Sequence, residues 1–198
     1  MRVGILALQG DVREHAAALH RLGAEPVEIR TPDAIDHLDA LVLPGGESTT
    51  ISLLLDRSGL RARLAAWVSA GRPTLGTCAG LVLLADEVLD GRPDQRSIGG
   101  LPIAVRRNGF GRQRYSFEAE VQSSDGGEPF EAVFIRAPRI ERVLDGTTVL
   151  AELVIDGSPE PVVVESGHCI GCSFHPELAG DDRLHRRLLE LAETTTAV

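Results

Sequence analysis

Apolar residues come along this chain in two textures. From Val3 to Leu84, short continuous apolar runs alternate with segments whose apolar residues recur every three or four positions. Val3 to Leu8 is a run of the kind buried on both faces of a parallel sheet, and Asp11 to Leu22 follows with Val12, Ala16 and Leu19 at helical spacing before Gly23. Strands are predicted next at Pro26 to Arg30 and Leu41 to Leu43, then a helix from Ser48 with Ile51, Leu54 and Leu55 on one face. Leu60 to Ala70 predicts a further helix ended by Gly71, and Pro73 to Thr77 a strand, with Cys78 and a short apolar helix through Leu84 directly after it. This β-α-β-α order predicts a mostly parallel central sheet with flanking helices, whose ligand site lies at the carboxyl ends of the strands.

From Leu101 the texture changes to short strands: Leu101 to Arg106, Ser116 to Val121, Ala132 to Ile135, Thr148 to Val154, Pro161 to Glu165 and Cys169 to Phe174. Asp156-Gly157 and Ser166-Gly167 stand where hairpin turns would fall, so an antiparallel extension of the sheet is predicted. Asp181 to Ala192 reads as an amphipathic helix. There is no internal repeat and no linker longer than the Asp90 to Gly100 loop, so residues 1–198 are expected to form one α/β domain.

Composition narrows the function classes. The 198 residues carry 20 basic and 29 acidic side chains, a net charge of −9, which is not the footprint of a nucleic-acid or anionic-membrane binder. All 20 basic residues are arginine, so Schiff-base and Walker-type lysine chemistry are excluded. Aromatic residues make up only 4% of the chain, too few for base-stacking platforms. No apolar run approaches the roughly 18 residues of a membrane span. The opening run after Arg2 is too short for a secretory leader, so a cytoplasmic protein is expected. Three cysteines make no disulfide framework and leave at least one free thiol.

Gly76-Thr77-Cys78-Ala79-Gly80 sits between a predicted strand and helix, the setting of a nucleophile elbow with cysteine in the place of serine. A thiol at a helix N-terminus gains from the dipole, which favours thiolate; a buried structural cysteine between packing glycines is the alternative. His175 and Glu177 follow the last apolar strand and, in an extended segment, would point to the same side, giving the thiol a base and the base an orienting carboxylate. Pro44-Gly45-Gly46-Glu47-Ser48 lies between strand and helix, where Ser48 can cap the helix and Gly46 can offer half of an oxyanion hole, the other half being the Ala79 N–H. The same string also suits a plain glycine turn. Cys169 and Cys172 form a lone C-x-x-C without a second pair and read as strand residues rather than a metal site. His15, His20, His37 and His185 read as solvated. On residues alone, a cysteine hydrolase of related fold and a non-catalytic binding subunit both stay open, although a binding module has no need of Cys78, His175 and Glu177 together.

The elbow, the glycine loop through Thr50 and the block Cys172-Ser173-Phe174-His175-Pro176-Glu177 resemble, in that order, the class I (triad) glutamine amidotransferases. Leu8 to His15, Arg107-Asn108-Gly109-Phe110-Gly111-Arg112-Gln113 and Phe134-Ile135-Arg136-Ala137-Pro138 narrow the resemblance to glutaminase subunits of pyridoxal 5'-phosphate synthase. The resemblance implies that Cys78 attacks the carboxamide of L-glutamine, that His175 shuttles the proton to leaving ammonia, and that Glu177 orients His175. It also places Gly46, Glu47, Ser48, Arg107, Ile135 and Arg136 at glutamine-binding positions; the two arginines suit a carboxylate. The implied partner is the synthase subunit, which consumes the ammonia. The missing lysine agrees with a chain that supplies nitrogen rather than performing imine chemistry. No metal or organic cofactor is implied. Gly109 departs from the pattern, since the family more often shows serine there.

Overall fold

In the computed structural model, which describes residues 1–92, 94–110 and 116–196, the first half of the chain alternates as its pattern predicts. It runs β1 (Arg2–Leu6), α1 (Val12–Arg21), β2 (Glu25–Ile29), a 3-10 turn (Pro32–Ile35), β3 (Ala40–Leu43), α2 (Ser48–Ser58), α3 (Leu60–Ser69), β4 (Thr74–Thr77) and α4 (Ala79–Leu84). The second half contains β5 (Ala85–Val88), β6 (Leu101–Arg106), β7 (Ser116–Ser123), β8 (Phe130–Ile135), β9 (Arg139–Val143), β10 (Thr148–Ile155), β11 (Ser158–Ser166), β12 (Cys169–Cys172), α5 (Pro176–Ala179) and α6 (Arg183–Thr196).

Among the described residues the main sheet has nine strands, ordered β2-β1-β3-β4-β12-β11-β10-β7-β8. The first five are parallel, and from β11 onward each pair is antiparallel. Both β3 and β4 are buried throughout, with a covered face on each side, which explains the continuous apolar run of β3, while β4 also buries Thr74 and Thr77. One face carries α1 and α6 through Leu19, Leu184 and Leu188; the other carries α2, α3 and α4 through Ile51, Leu55, Leu64 and Leu81. Each such leucine is worth roughly 1.5–3 kcal/mol of burial. Asp156 and Gly157 both take positive φ, 51° and 82°, and close the β10–β11 hairpin as expected.

Four expectations need correction. Leu101 to Arg106 does not extend the main sheet: β6 forms a separate three-stranded sheet with β5 and β9. Neither β5 nor β9 is visible in the pattern, because Asp86, Glu87, Glu141 and Arg142 leave them too few apolar positions. The last strand stops at Cys172 and residues 176–179 are a helical turn. His20 and His37 are exposed, but His15 and His185 are fully buried. They meet between α1 and α6, where His15 Nδ1 lies 2.8 Å from His185 Nε2, so each ring supplies the other's hydrogen bond in the interior. A two-pronged Arg21–Asp182 pair, 2.8 and 2.6 Å, ties the same two helices at the surface. Among the described residues no helix is long and apolar enough to cross a membrane.

Candidate active site

The loops that leave the carboxyl ends of β1, β3, β4 and β12 carry Asp11, the segment Gly45–Ser48, Cys78 and His175, respectively. Adjacent parallel strands bring these loops together, and packing at backbone distance locks two of them. A Cβ on Gly10 would stand 1.8 Å from the Gly45 carbonyl oxygen, so the β1 and β3 loops touch only because Gly10 has none.

Cys78 forms the elbow. Its φ of 48° and ψ of −100° are sparsely populated for a non-glycine residue and hold about 1–3 kcal/mol of strain. Its N–H donates to the Cys172 carbonyl at 2.8 Å, which fixes the turn to β12. The thiol sits at the first turn of α4, 3.8 Å from the Ile135 carbonyl oxygen, and lines the same cavity as His175. Ile135 arrives from β8, four places beyond β12 in the sheet order. The sheet curls back so far that the His175 N–H donates to the Val133 carbonyl at 2.9 Å.

His175 caps α5 and Glu177 lies in its first turn, so their meeting comes from the helix start and not from an extended segment as the sequence suggested. His175 Nδ1 is 2.8 Å from Glu177 Oε1 and 3.2 Å from Asp11 Oδ2. Burial disfavours the charged ring, but hydrogen bonds to Asp11, the Cys78 thiol and Glu177 outweigh it and push the His175 pKa up to about 12. Burial raises the Glu177 carboxyl, and the hydrogen bond to His175 lowers that of Asp11. Asp11, His175 and Glu177 are also the one cluster among the described residues with three metal-ligating atoms within 4.8 Å of one another. With Nδ1 protonated, the ring donates towards the two carboxylates, which stabilise the imidazolium that forms once the second ring nitrogen also holds a proton.

A cavity of about 390 Å³ opens over the thiol, lined by Asp11, Gly46, Glu47, Ser48, Cys78, Ala79, Arg107, Ile135, Arg136 and His175 among others. All the residues singled out in the sequence therefore converge, except that Glu177 stands behind His175 rather than on the wall. Glu47, not Ser48, caps α2: its carboxylate accepts from the N–H groups of Thr49 and Thr50 at 3.1 and 2.7 Å. Arg107 donates through NH1 to Thr49 Oγ1 at 2.5 Å and Gln95 Oε1 at 2.9 Å, while its buried Nε has no partner among the described residues. Gln95 also donates to Ser48 Oγ at 3.2 Å. Gln9 Oε1 accepts from the Glu47 N–H at 2.8 Å and steadies the glycine loop.

A family model for the SNO glutamine amidotransferases matches residues 5–193. The chain belongs to that family. Among its relatives in this glutamine amidotransferase family, the chain named "Pyridoxal 5'-phosphate synthase subunit PdxT" from Frankia alni is 52% identical over 196 residues, covering 98% of this chain and 96% of that one. The protein of the same name from Salinispora arenicola is 51% identical over 192 residues, covering 96% and 95%. A solved structure described as a glutamine amidotransferase superposes with a TM-score of 0.88 at 47% identity, covering 96% of this chain and 98% of that one.

Within this glutamine amidotransferase the sequence reading missed Asp11, Gln9, Thr49 and Gln95. The first two could have been found as polar residues at the carboxyl end of a parallel strand; Gln95, in the 90–100 loop, has no local signal. Gly109 now has a reason: a Cβ there would lie 2.3 Å from Arg139 Cβ and 2.9 Å from its backbone nitrogen, so serine would collide with β9. Gly111, Arg112 and Gln113 of the same block, and Tyr115, lie outside the described residues.

Proposed function

We propose that residues 1–198 act as one cytoplasmic glutaminase domain that hydrolyses L-glutamine to L-glutamate and ammonia, and hands the ammonia to a pyridoxal 5'-phosphate synthase subunit in a hetero-oligomer. The observation that carries this reading is the Cys78 thiol, strained at a helix start, in one cavity with an imidazole that two carboxylates hold. His175 holds the proton given up by Cys78, and the thiolate sulfur bonds to the carboxamide carbon of glutamine. The oxygen of that carbon takes the negative charge facing the N–H groups of Gly46 and Ala79. His175 then gives its proton to the departing nitrogen, and the C–N bond breaks to leave a thioester and ammonia. Water, deprotonated by His175, attacks the thioester carbon; glutamate leaves and the thiol regains its proton. Glu177 orients the imidazole.

The cavity charges suit a zwitterionic amino acid. Arg107 and Arg136 serve the α-carboxylate, and the carboxylates of Asp11 and Glu47 give the wall the opposite sign. Ser48, Ile135 and the Gly46–Glu47 backbone complete the glutamine site. Because Gly46 has φ of 149°, its peptide can turn at low cost, so a docked synthase subunit can complete the oxyanion hole and couple ammonia release to its use. The test is glutamate release at saturating glutamine, alone and with excess synthase subunit. Cys78-dependent release that rises on adding the subunit is expected; release that persists in Cys78→Ala overturns the mechanism, and equal rates with and without the subunit overturn the coupling.

A further inference from the structure

Behind the triad lies a pair of histidines that the thiol chemistry leaves unused. His15 on α1 and His185 on α6 are both fully buried. Besides its 2.8 Å contact with His185, His15 turns Nε2 towards the sheet, 3.2 Å from Thr77 Oγ1 and 3.5 Å from Glu177 Oε1. That oxygen is the one facing His175 Nδ1 at 2.8 Å. A continuous line of groups therefore runs from His185 through His15, Glu177 and His175 to the Cys78 thiol.

Counting protons fixes its direction. A neutral imidazole has one N–H and one lone pair. Both rings are neutral: burial, aided by His185 and His175, holds His15 well below the ordinary histidine value, and burial lowers His185 to about 4. Suppose His15 carried its proton on Nδ1 and donated to His185. Its Nε2 lone pair would then face the Glu177 carboxylate, and His185 would bury an N–H at Nδ1, an atom with no partner among the described residues. In the opposite arrangement His185 donates from Nε2, His15 accepts at Nδ1, and the His15 Nε2–H points at Thr77 Oγ1 and Glu177 Oε1. Only a lone pair then goes unpaired, which is the cheaper defect because an orphaned buried N–H forfeits a full hydrogen bond.

Resting on the triad reading above, we propose that His15 is a positioning residue for Glu177: its Nε2–H, fixed in that tautomer by His185, holds the carboxylate in the orientation that receives His175 Nδ1–H. Glu177 Oε2 is buried with no partner among the described residues, so the contacts at Oε1 set the orientation. The other ionisable groups facing Glu177 are Asp11 ahead of α1 and Cys172 on β12, and neither side chain offers an N–H. Asp181, Asp182 and Arg21 face His185 from the helix ends.

The test compares full-length wild-type, His15→Leu and His15→Gln proteins in glutamate release with the synthase subunit present. His15→Leu is expected to lower kcat about 10- to 100-fold, the usual effect of a small misplacement in a catalytic group, with KM for glutamine changed by no more than about twofold. The acidic limb of its kcat/KM profile moves to higher pH, because Glu177 loses a donor that favours its ionised form. His15→Gln, whose amide nitrogen reaches the place of Nε2, recovers part of kcat. Nitrogen-15 NMR of the wild-type histidine rings at neutral pH is expected to show the Nε2–H tautomer for both His15 and His185, and this measurement decides the matter if His15→Leu does not fold. A His15 ring protonated on Nδ1, or a folded His15→Leu enzyme with wild-type kcat and pH profile, overturns the positioning role while leaving the triad intact. Glutamate release insensitive to Cys78→Ala overturns the triad reading itself and this one with it.

Discussion

Gly80→Ala should disable the site without touching any polar group in it. A Cβ at this position would stand 1.9 Å from the carbonyl oxygen of Leu43 and 2.8 Å from its carbonyl carbon. Leu43 belongs to β3, which is held between β1 and β4, so the strand cannot give way. Gly76 blocks retreat within β4, since it packs against Gly80 so closely that its own Cβ would lie 2.7 Å from the Gly80 carbonyl. Opening 1.9 Å to the 3.0 Å that real Cβ atoms need moves α4 by at least about 1.1 Å. That helix begins one residue after Cys78, so the thiol and the Ala79 N–H move with it. A displacement of this size costs about 100-fold in rate. The forced overpacking also costs about 1–3 kcal/mol, which lowers the urea midpoint by roughly 1 M for a slope near 2 kcal/mol per M. Glutamate release in the absence of denaturant, where the variant is still folded, separates the two effects. Gly23→Ala is the control: nothing lies within 4 Å of its Cβ, so only its φ of 76° is penalised, by about 1–2 kcal/mol, and activity is unaffected. A Gly80→Ala enzyme within about twofold of wild-type rate and with an unchanged midpoint would refute the reasoning.

His175→Asn should be nearly as damaging as Cys78→Ala, with Glu177→Gln milder, because the orienting carboxylate is the least costly member of such a unit; normal thioester formation by His175→Asn in single-turnover assays would remove it as the base. Gln95→Ala removes one of the two acceptors of Arg107 NH1 and the donor to Ser48 Oγ, and it should raise KM for glutamine about 5- to 10-fold with kcat nearly unchanged; a steady-state titration giving wild-type KM would show that Gln95 does not position the binding arginine. Stability should fall as pH drops from 6.5 towards 4. The unfolded chain protonates His185 through that window while the folded chain, with its pKa at about 4, does not; by linkage the full shift is worth about 3 kcal/mol. Urea midpoints at several pH values should therefore fall more steeply for wild type than for His185→Gln, and parallel slopes would contradict the buried neutral ring.

Local signals in the sequence were enough for the α/β alternation, the elbow at Cys78 and the glycine loop at Gly45–Gly46. Strands buried on both faces are mostly apolar, and a sharp strand-to-helix turn at backbone distance from its neighbour must be flanked by small residues. The buried histidines show where local reading reached its limit. His15 stands at helical spacing from Val12 and Leu19, and His185 from Leu188 and Ala192, so both lie on apolar faces; only the docking of α1 against α6 shows that two polar rings can be buried there by bonding each other. The same limit holds for Asp11 at His175 Nδ1, for Gln95 between Ser48 and Arg107, and for Ile135, which the curl of the sheet brings from its far edge to the thiol. These contacts join residues tens of positions apart. Periodicity and turn chemistry act over a few residues, so the sequence determined which groups could do chemistry, and the tertiary structure decided which of them meet.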